Sequence, residues 1–78
     1  MFFLYIIQCD SKKRFYIGVT TNLANRIKQH NNGGTKSTRP YRPWILIYTE
    51  TFLDKGSAYK REYYLKHPKG YLEKKDIV

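Results

Sequence analysis

The chain begins with a hydrophobic run that is followed, after a short polar turn, by a segment of alternating polarity. Residues 1–7 are all apolar or aromatic, which favours a central strand covered on both faces. Residues 15–20 alternate instead, which predicts a strand with one packed face and one available face. Gly18 lies on the available face, where the missing side chain leaves room for close approach. The polar residues 10–14 have the length of a hairpin connection, so the pattern predicts an antiparallel hairpin.

A helix and a loop are predicted next. Thr21 or Asn22 can cap a helix over residues 23–31, which Gly33 and Gly34 can end. Residues 34–43 have the Gly, Pro, Ser and Thr content of a loop. We interpret this segment as a mobile, substrate-facing loop.

The second half of the chain repeats the order of strand and helix. Residues 44–52 are rich in β-branched and aromatic side chains and predict a third strand. Asp54 can cap a helix over residues 55–67, and a short C-terminal helix or ordered tail is expected over residues 69–75. The predicted fold class is α/β, of the α+β type, with a small three-stranded antiparallel sheet flanked by helices in one domain over residues 1–78.

The charge favours a polyanionic partner. Fifteen Lys and Arg residues against six Asp and Glu residues give a net charge of +9. Nucleic acid is the first candidate, because eight tyrosines among these cations could stack on bases. Three cations of the loop suit phosphate contacts: Lys36, Arg39 and Arg42. A membrane surface is disfavoured, since the basic residues do not follow one face of a helix.

The single cysteine, Cys9, rules out an internal disulfide and a thiolate-rich metal site. It closes an apolar strand, where a buried structural thiol is expected in place of a nucleophile. This usage suits the reducing cytosol, so a cytoplasmic protein is expected.

Glu62 shares a stripe of the second helix with Ala58 and Leu65, which would turn its carboxylate inward and require a partner. Lys66, one turn later, could form an ion pair with it. Alternatively, one divalent cation could bind this carboxylate together with water and phosphate oxygens, as Mg²⁺ does. A site for two metal ions is disfavoured, because the acidic residues are dispersed along the chain.

Four other side chains have two interpretations each. Arg26 is either a solvated helix residue or a planar fork for phosphate. His30, one turn later, is either a packing residue or a proton acceptor. Tyr5 and Tyr16 are either ordinary strand aromatics or catalytic phenols activated by nearby positive charge.

Together these segments resemble, in order and spacing, the GIY-YIG nuclease superfamily. The resemblance is greatest to small stand-alone members related to the N-terminal nuclease domain of the excision-repair nuclease subunit. It rests on five segments: Phe3-Leu4-Tyr5, Tyr16-Ile17-Gly18, Arg26, His30 and Glu62. The first segment replaces Gly-Ile-Tyr, and Val19 stands where some members have a lysine.

The resemblance implies hydrolysis of DNA phosphodiester bonds with one Mg²⁺ or Mn²⁺ ion. Tyr16 would take a proton from the attacking water, with His30 as a second candidate for that step. Tyr5 would position water or phosphate, Arg26 would stabilise the scissile phosphate, and Glu62 would hold the metal ion. The expected function is an endonuclease that acts on branched, damaged or single-stranded DNA in repair or recombination, where an accessory protein could direct it to its substrate. The alternatives are a non-catalytic nucleic-acid-binding module and a small basic protein associated with ribosomes.

Overall fold

The computed structural model describes residues 1–11 and 14–66 in five main elements. They are, in chain order, β1 (Phe2–Cys9), β2 (Phe15–Thr20), α1 (Leu23–Asn31), β3 (Trp44–Phe52) and α2 (Lys55–Lys66). The predicted C-terminal helix over residues 69–75 lies outside the described residues.

The three strands form one antiparallel sheet in the order β2-β1-β3. β1 occupies the centre because its side chains can be buried on both faces, and four consecutive residues, from Leu4 to Ile7, are fully buried. The predicted fold class, a three-stranded antiparallel sheet flanked by helices, is confirmed.

The two helices pack on opposite faces of the sheet. Successive residues of a strand point to opposite faces, and the core is divided accordingly into two clusters. Leu65 of α2 packs in one cluster with Leu4 and Ile6. Leu23 and Ile27 of α1 pack against the other, which contains Tyr5.

Both helices begin at the caps that the sequence indicates. The side chain of Asn22 accepts a hydrogen bond from the backbone N–H of Asn25 at 3.1 Å, and Asp54 accepts one from the N–H of Ser57 at 2.8 Å. Gly33, which follows α1, has φ of +80°, a conformation that glycine adopts without the strain of a Cβ atom. None of the helices in the described part of the chain is long and apolar enough to cross a membrane.

The loop between α1 and β3 is tied to its neighbours through one buried residue. Thr38 is 2% exposed, and its carbonyl oxygen accepts a hydrogen bond from the Trp44 indole N–H at 2.8 Å. Asn31 holds the start of β3, since its side chain donates to the Trp44 carbonyl and accepts from the Trp44 N–H. The loop is therefore attached to both α1 and β3.

Gly18 lies directly opposite Tyr5 in the pairing of β1 and β2. A Cβ atom on Gly18 would lie 2.5 Å from the Tyr5 hydroxyl oxygen, closer than van der Waals contact allows. The phenol of Tyr5 thus fills the space that this glycine leaves. The phenol can occupy this position only because Gly18 has no side chain.

We expect Gly18→Ala to displace the Tyr5 ring and to lower the free energy of unfolding by about 1–3 kcal/mol, the usual cost of overpacking a core. Urea unfolding would measure the loss. Gly56→Ala is the control: its added methyl group would lie 3.3 Å from Oδ2 of Asp54, a tight contact with the exposed capping side chain that a small shift relieves, and alanine favours a helix. Equal stability of Gly18→Ala and the wild type would contradict the described position of Tyr5.

Candidate active site

The five candidate residues come from four elements, and all but Glu62 lie on the face of the sheet that α1 covers. Arg26 Nε donates to the Tyr5 hydroxyl oxygen at 3.2 Å, and the same hydroxyl lies 2.9 Å from His30 Nε2. The Tyr16 ring centre is 6.2 Å from that of Tyr5 and 5.1 Å from that of His30. Glu62, on α2, is linked to this group through Lys66, whose ammonium nitrogen lies 3.5 Å from the Glu62 carboxylate and 5.8 Å from the centre of the Tyr16 ring.

The hydrogen bonds at His30 can be assigned a direction, because the donor role of the Thr38 hydroxyl is known. The Thr38 hydroxyl donates to the carbonyl oxygen of Thr35, so its own oxygen accepts from His30 Nδ1, 2.8 Å away. With its proton on Nδ1, the imidazole accepts at Nε2 from the Tyr5 hydroxyl. The resulting chain runs from Arg26 through Tyr5 and His30 to Thr38.

Burial keeps the central pair of this chain neutral. It raises the pKa of Tyr5, against the hydrogen bond and the charge of Arg26. Burial also lowers the pKa of His30, and the positive charge of Arg26 lowers it further. A protonated phenol and a neutral imidazole are the two forms that the hydrogen-bond directions require.

Tyr16 is more accessible to solvent than the two aromatic groups beside it, Tyr5 and His30. Tyr5 and His30 are both 0% exposed, whereas Tyr16 and Arg26 are half-buried. The sequence left open whether His30 is a packing residue, and the structure places it on the packed side of α1, with both ring nitrogens bonded.

Arg26 lies on the wall of an open cleft of about 470 Å³. Its NH1 group donates to the side-chain oxygen of Gln29 at 3.1 Å. Together with the bond to Tyr5, this contact fixes the plane of the guanidinium group. The cleft is lined by residues from β1, β2, both helices and the turn before α1, namely Phe2, Val19, Thr20, Thr21, Asn22, Asn25, Arg26, Gln29, Lys55 and Tyr59.

Glu62 has one ion-pair partner in the described part of the chain. Lys66 Nζ lies 3.5 Å from Glu62 Oε2, which is the pair that the spacing allows. The same ammonium group lies 5.8 Å from the centre of the Tyr16 ring. The glutamate side chain is 20% exposed, so solvent reaches it.

The donor set suits one hard cation that keeps most of its water. Among residues 1–11 and 14–66, no group of three or more His, Cys, Asp or Glu side chains could enclose a metal ion. A single accessible carboxylate, paired with a lysine at 3.5 Å, fits Mg²⁺, which commonly binds proteins through one or two carboxylates and takes other oxygens from water and phosphate.

Two of the three candidate phosphate ligands of the loop also have structural partners. Arg39 Nε donates to the Gly33 carbonyl at 2.8 Å, and Arg42 Nε donates to the Arg39 carbonyl at 2.9 Å. Lys36 is exposed. The loop therefore presents Lys36 to solvent, while both arginines share their groups with the backbone.

Two features of the site did not follow from the sequence. The loop residue Thr38 orients His30, and a residue eight positions along the chain, in a loop, gives no periodic signal of such a contact. The cleft residues Lys55 and Tyr59 were also missed. Tyr59, Glu62 and Lys66 follow Lys55 by four, seven and eleven positions, and this spacing, which places all four on one stripe of α2, could have revealed them.

With this geometry, the family can be assigned. Residues 1–75 match the model of the GIY-YIG catalytic domain. The chain belongs to that family of nucleases, and the resemblance inferred from its sequence is confirmed.

Within the family, the chain is similar to UPF0213 proteins. It is 47% identical over 66 residues to one from Desulfotalea psychrophila, a match that covers 82% of this chain and 59% of the relative. It is 48% identical over 67 residues to one from Clostridium perfringens, covering 85% and 71%. The solution NMR structure of a UPF0213 protein from Bacillus halodurans superimposes with a TM-score of 0.59 and 34% identity, over 99% of this chain and 83% of that one.

Since the folded state lowers the pKa of His30 from its ordinary value of 6.5, the unfolded state binds its proton at higher pH. The stabilisation is therefore complete above about pH 6.5 and is lost as the pH falls through the folded-state pKa. We expect the wild type to lose more stability between about pH 7.5 and 5 than His30→Gln, which cannot titrate there. Urea unfolding at several pH values would measure this. Equal losses in both proteins would assign the acid sensitivity to other groups.

Proposed function

We propose that this chain is a metal-dependent DNA endonuclease. The observation that carries the proposal is the fixed guanidinium of Arg26, which is bonded to Tyr5 and Gln29 at the wall of an open cleft. A planar guanidinium group that is already oriented before the substrate binds can bind a phosphate and stabilise the charge that develops on it during hydrolysis.

Tyr16 is the proposed general base. Of the three aromatic groups at the site, it is the one that solvent reaches, because Tyr5 and His30 are completely buried. The ammonium group of Lys66 lies 5.8 Å from the centre of the Tyr16 ring, which places a positive charge beside the proposed base. The base would take the proton of the attacking water as oxygen bonds to phosphorus and the 3′ or 5′ oxygen leaves.

Tyr5 and His30 are proposed as positioning residues. Their hydrogen bonds hold Arg26 in place and continue to Thr38 in the loop. Neither group can reach the substrate in this arrangement, since both are 0% exposed. Direct proton transfer through His30 is accordingly the weaker of the two hypotheses for the base.

Glu62 is the proposed ligand of Mg²⁺ or Mn²⁺. A divalent ion there would supply positive charge to the phosphate oxygens. Lys66 would have to give up its contact with the carboxylate, and the half-exposed lysine can do so, because a pair at 3.5 Å near solvent contributes little.

The proposed substrate is branched, damaged or single-stranded DNA in repair or recombination, in keeping with the charge of +9. A non-catalytic nucleic-acid-binding module is the second candidate. One observation favours it: Lys66 already neutralises the carboxylate that a metal ion would need.

A cleavage assay on single-stranded, duplex, flap and junction DNA with Mg²⁺, Mn²⁺ or EDTA tests this proposal. We expect Tyr16→Phe to lower metal-dependent cleavage by about 10²- to 10⁴-fold, the usual effect of losing a general base. Glu62→Gln should lower it by at least about 100-fold by removing the metal ligand.

Glu50→Gln is the matched control for Glu62→Gln. It removes the same charge, but its carboxylate pairs with Arg61, 3.0 Å away on α2, and does not reach the site. Cleavage per folded molecule should survive in this variant. Retained cleavage by Glu62→Gln would rule out the metal role, and no cleavage by the wild type with either ion would favour the binding module.

The loop cations should make DNA binding depend on salt. Replacing Lys36, Arg39 and Arg42 with alanine should flatten the slope of log K against log salt concentration by up to about 3, since each cation that neutralises a phosphate adds about one to that slope. Lys60→Ala, at an exposed position of α2 that does not line the cleft, is the control for removal of a single charge. An unchanged slope in the triple variant would show that the loop does not touch phosphate.

A further inference from the structure

The cleft beside Arg26 is an open and mostly polar depression with the size of a small-molecule site. Its volume of about 470 Å³ lies within the range of ligand pockets. Phe2, Val19 and Tyr59 give it apolar and aromatic surface, and Asn25 and Gln29 give it amide groups. Flat apolar faces with polar edges are what a nucleobase needs from its surroundings.

Its second wall is the stripe of α2 that also carries the proposed metal ligand. Lys55, Tyr59 and Glu62 follow one another at intervals of four and three residues, so their side chains lie one above another on one face. One helical turn separates Tyr59 from Glu62, a rise of about 5 Å. A strand whose phosphate reaches Glu62 therefore passes Tyr59 with its neighbouring nucleotide.

Tyr59 is suited to stacking. Its side chain is 45% exposed, and the ammonium group of Lys55 lies 5.7 Å from its ring centre. Aromatic rings beside cations are the common surface of sites for single-stranded nucleic acid, because the ring binds the base and the cation binds the phosphate.

Val19 keeps this space open. It lines the cleft together with Arg26. A lysine there would extend four carbons and a charge into the cleft. The valine side chain is short and uncharged, so it leaves the cleft open.

We propose that the cleft binds an unpaired base of the DNA strand next to the phosphate held by Arg26, with Tyr59 stacking on that base and Lys55 contacting the adjoining phosphate. This inference rests on the proposed function for the position of the scissile phosphate. It defines the substrate class as DNA with an unpaired nucleotide at the cleavage site, since a base within a duplex cannot enter the cleft.

The test measures binding in EDTA, so that cleavage does not enter. Fluorescence anisotropy would compare binding to two labelled strands, an oligothymidylate of about 12 nucleotides and an abasic strand of the same length and charge. This length lies within the range of site sizes for proteins that bind single strands. Tyr59→Ala should weaken binding to oligothymidylate by about 5- to 20-fold, a decrease typical of one stacked base. It should leave binding to the abasic strand unchanged.

Two variants serve as controls. Tyr59→Phe keeps the ring and should bind like the wild type. Tyr64→Ala removes a tyrosine of similar exposure, 41%, from another face of the same helix, and it should also bind like the wild type. Equal weakening by Tyr59→Ala on both strands, or the same decrease in Tyr64→Ala, would overturn the proposal.

Val19→Lys gives an independent result if Tyr59→Ala does not fold. The added charge should strengthen binding to the abasic strand, while the filled cleft removes the preference for the strand with bases. An undiminished preference would overturn the proposal. Absence of cleavage by the wild type would defeat the endonuclease function but leave base-dependent binding intact, so the two failures are distinguishable.

Discussion

The buried hydroxyl of Tyr5 is the contact on which the site depends. It joins the central strand to α1 through Arg26 and His30, and it fits only because Gly18 opposite has no side chain. The hydroxyl cannot be left unpaired in the interior, where an unsatisfied polar group is costly. Satisfying it places the arginine at the wall of the cleft. The same hydrogen bond thus contributes to stability and orients the residue that would bind phosphate.

The sequence predicted the strands and helices closely, because their signals are local. The polarity of residues 1–7 and 15–20 indicated a central strand and a half-exposed one. Thr21 or Asn22, and Asp54, indicated the helix starts, which the structure places at Asn22 and Asp54. Tyr5, Tyr16, Arg26, His30 and Glu62 were selected by their spacing along a family pattern, and the structure places them near one another. Their catalytic roles stay predictions.

What the sequence could not provide is set by tertiary packing. Thr38 lies in a loop whose composition suggested only phosphate contacts, yet its buried hydroxyl orients His30. The burial of His30 was equally hidden, since a histidine at the edge of an apolar stripe can face either way. In both cases the contact that decides the arrangement joins α1 to the loop. The distance between these two segments is set by how they pack on the sheet, and no local propensity encodes that packing.

The stripe of α2 links the two halves of the proposed substrate site. Lys66 and Glu62 lie at the end near Tyr16, and Tyr59 and Lys55 line the cleft. Because all four belong to one rigid helix, the distance between the base-binding ring and the carboxylate cannot change without moving α2. That helix is held by Leu65 in the core. In the proposed complex, the distance between the unpaired base and the reacting phosphate would therefore be set by the fold.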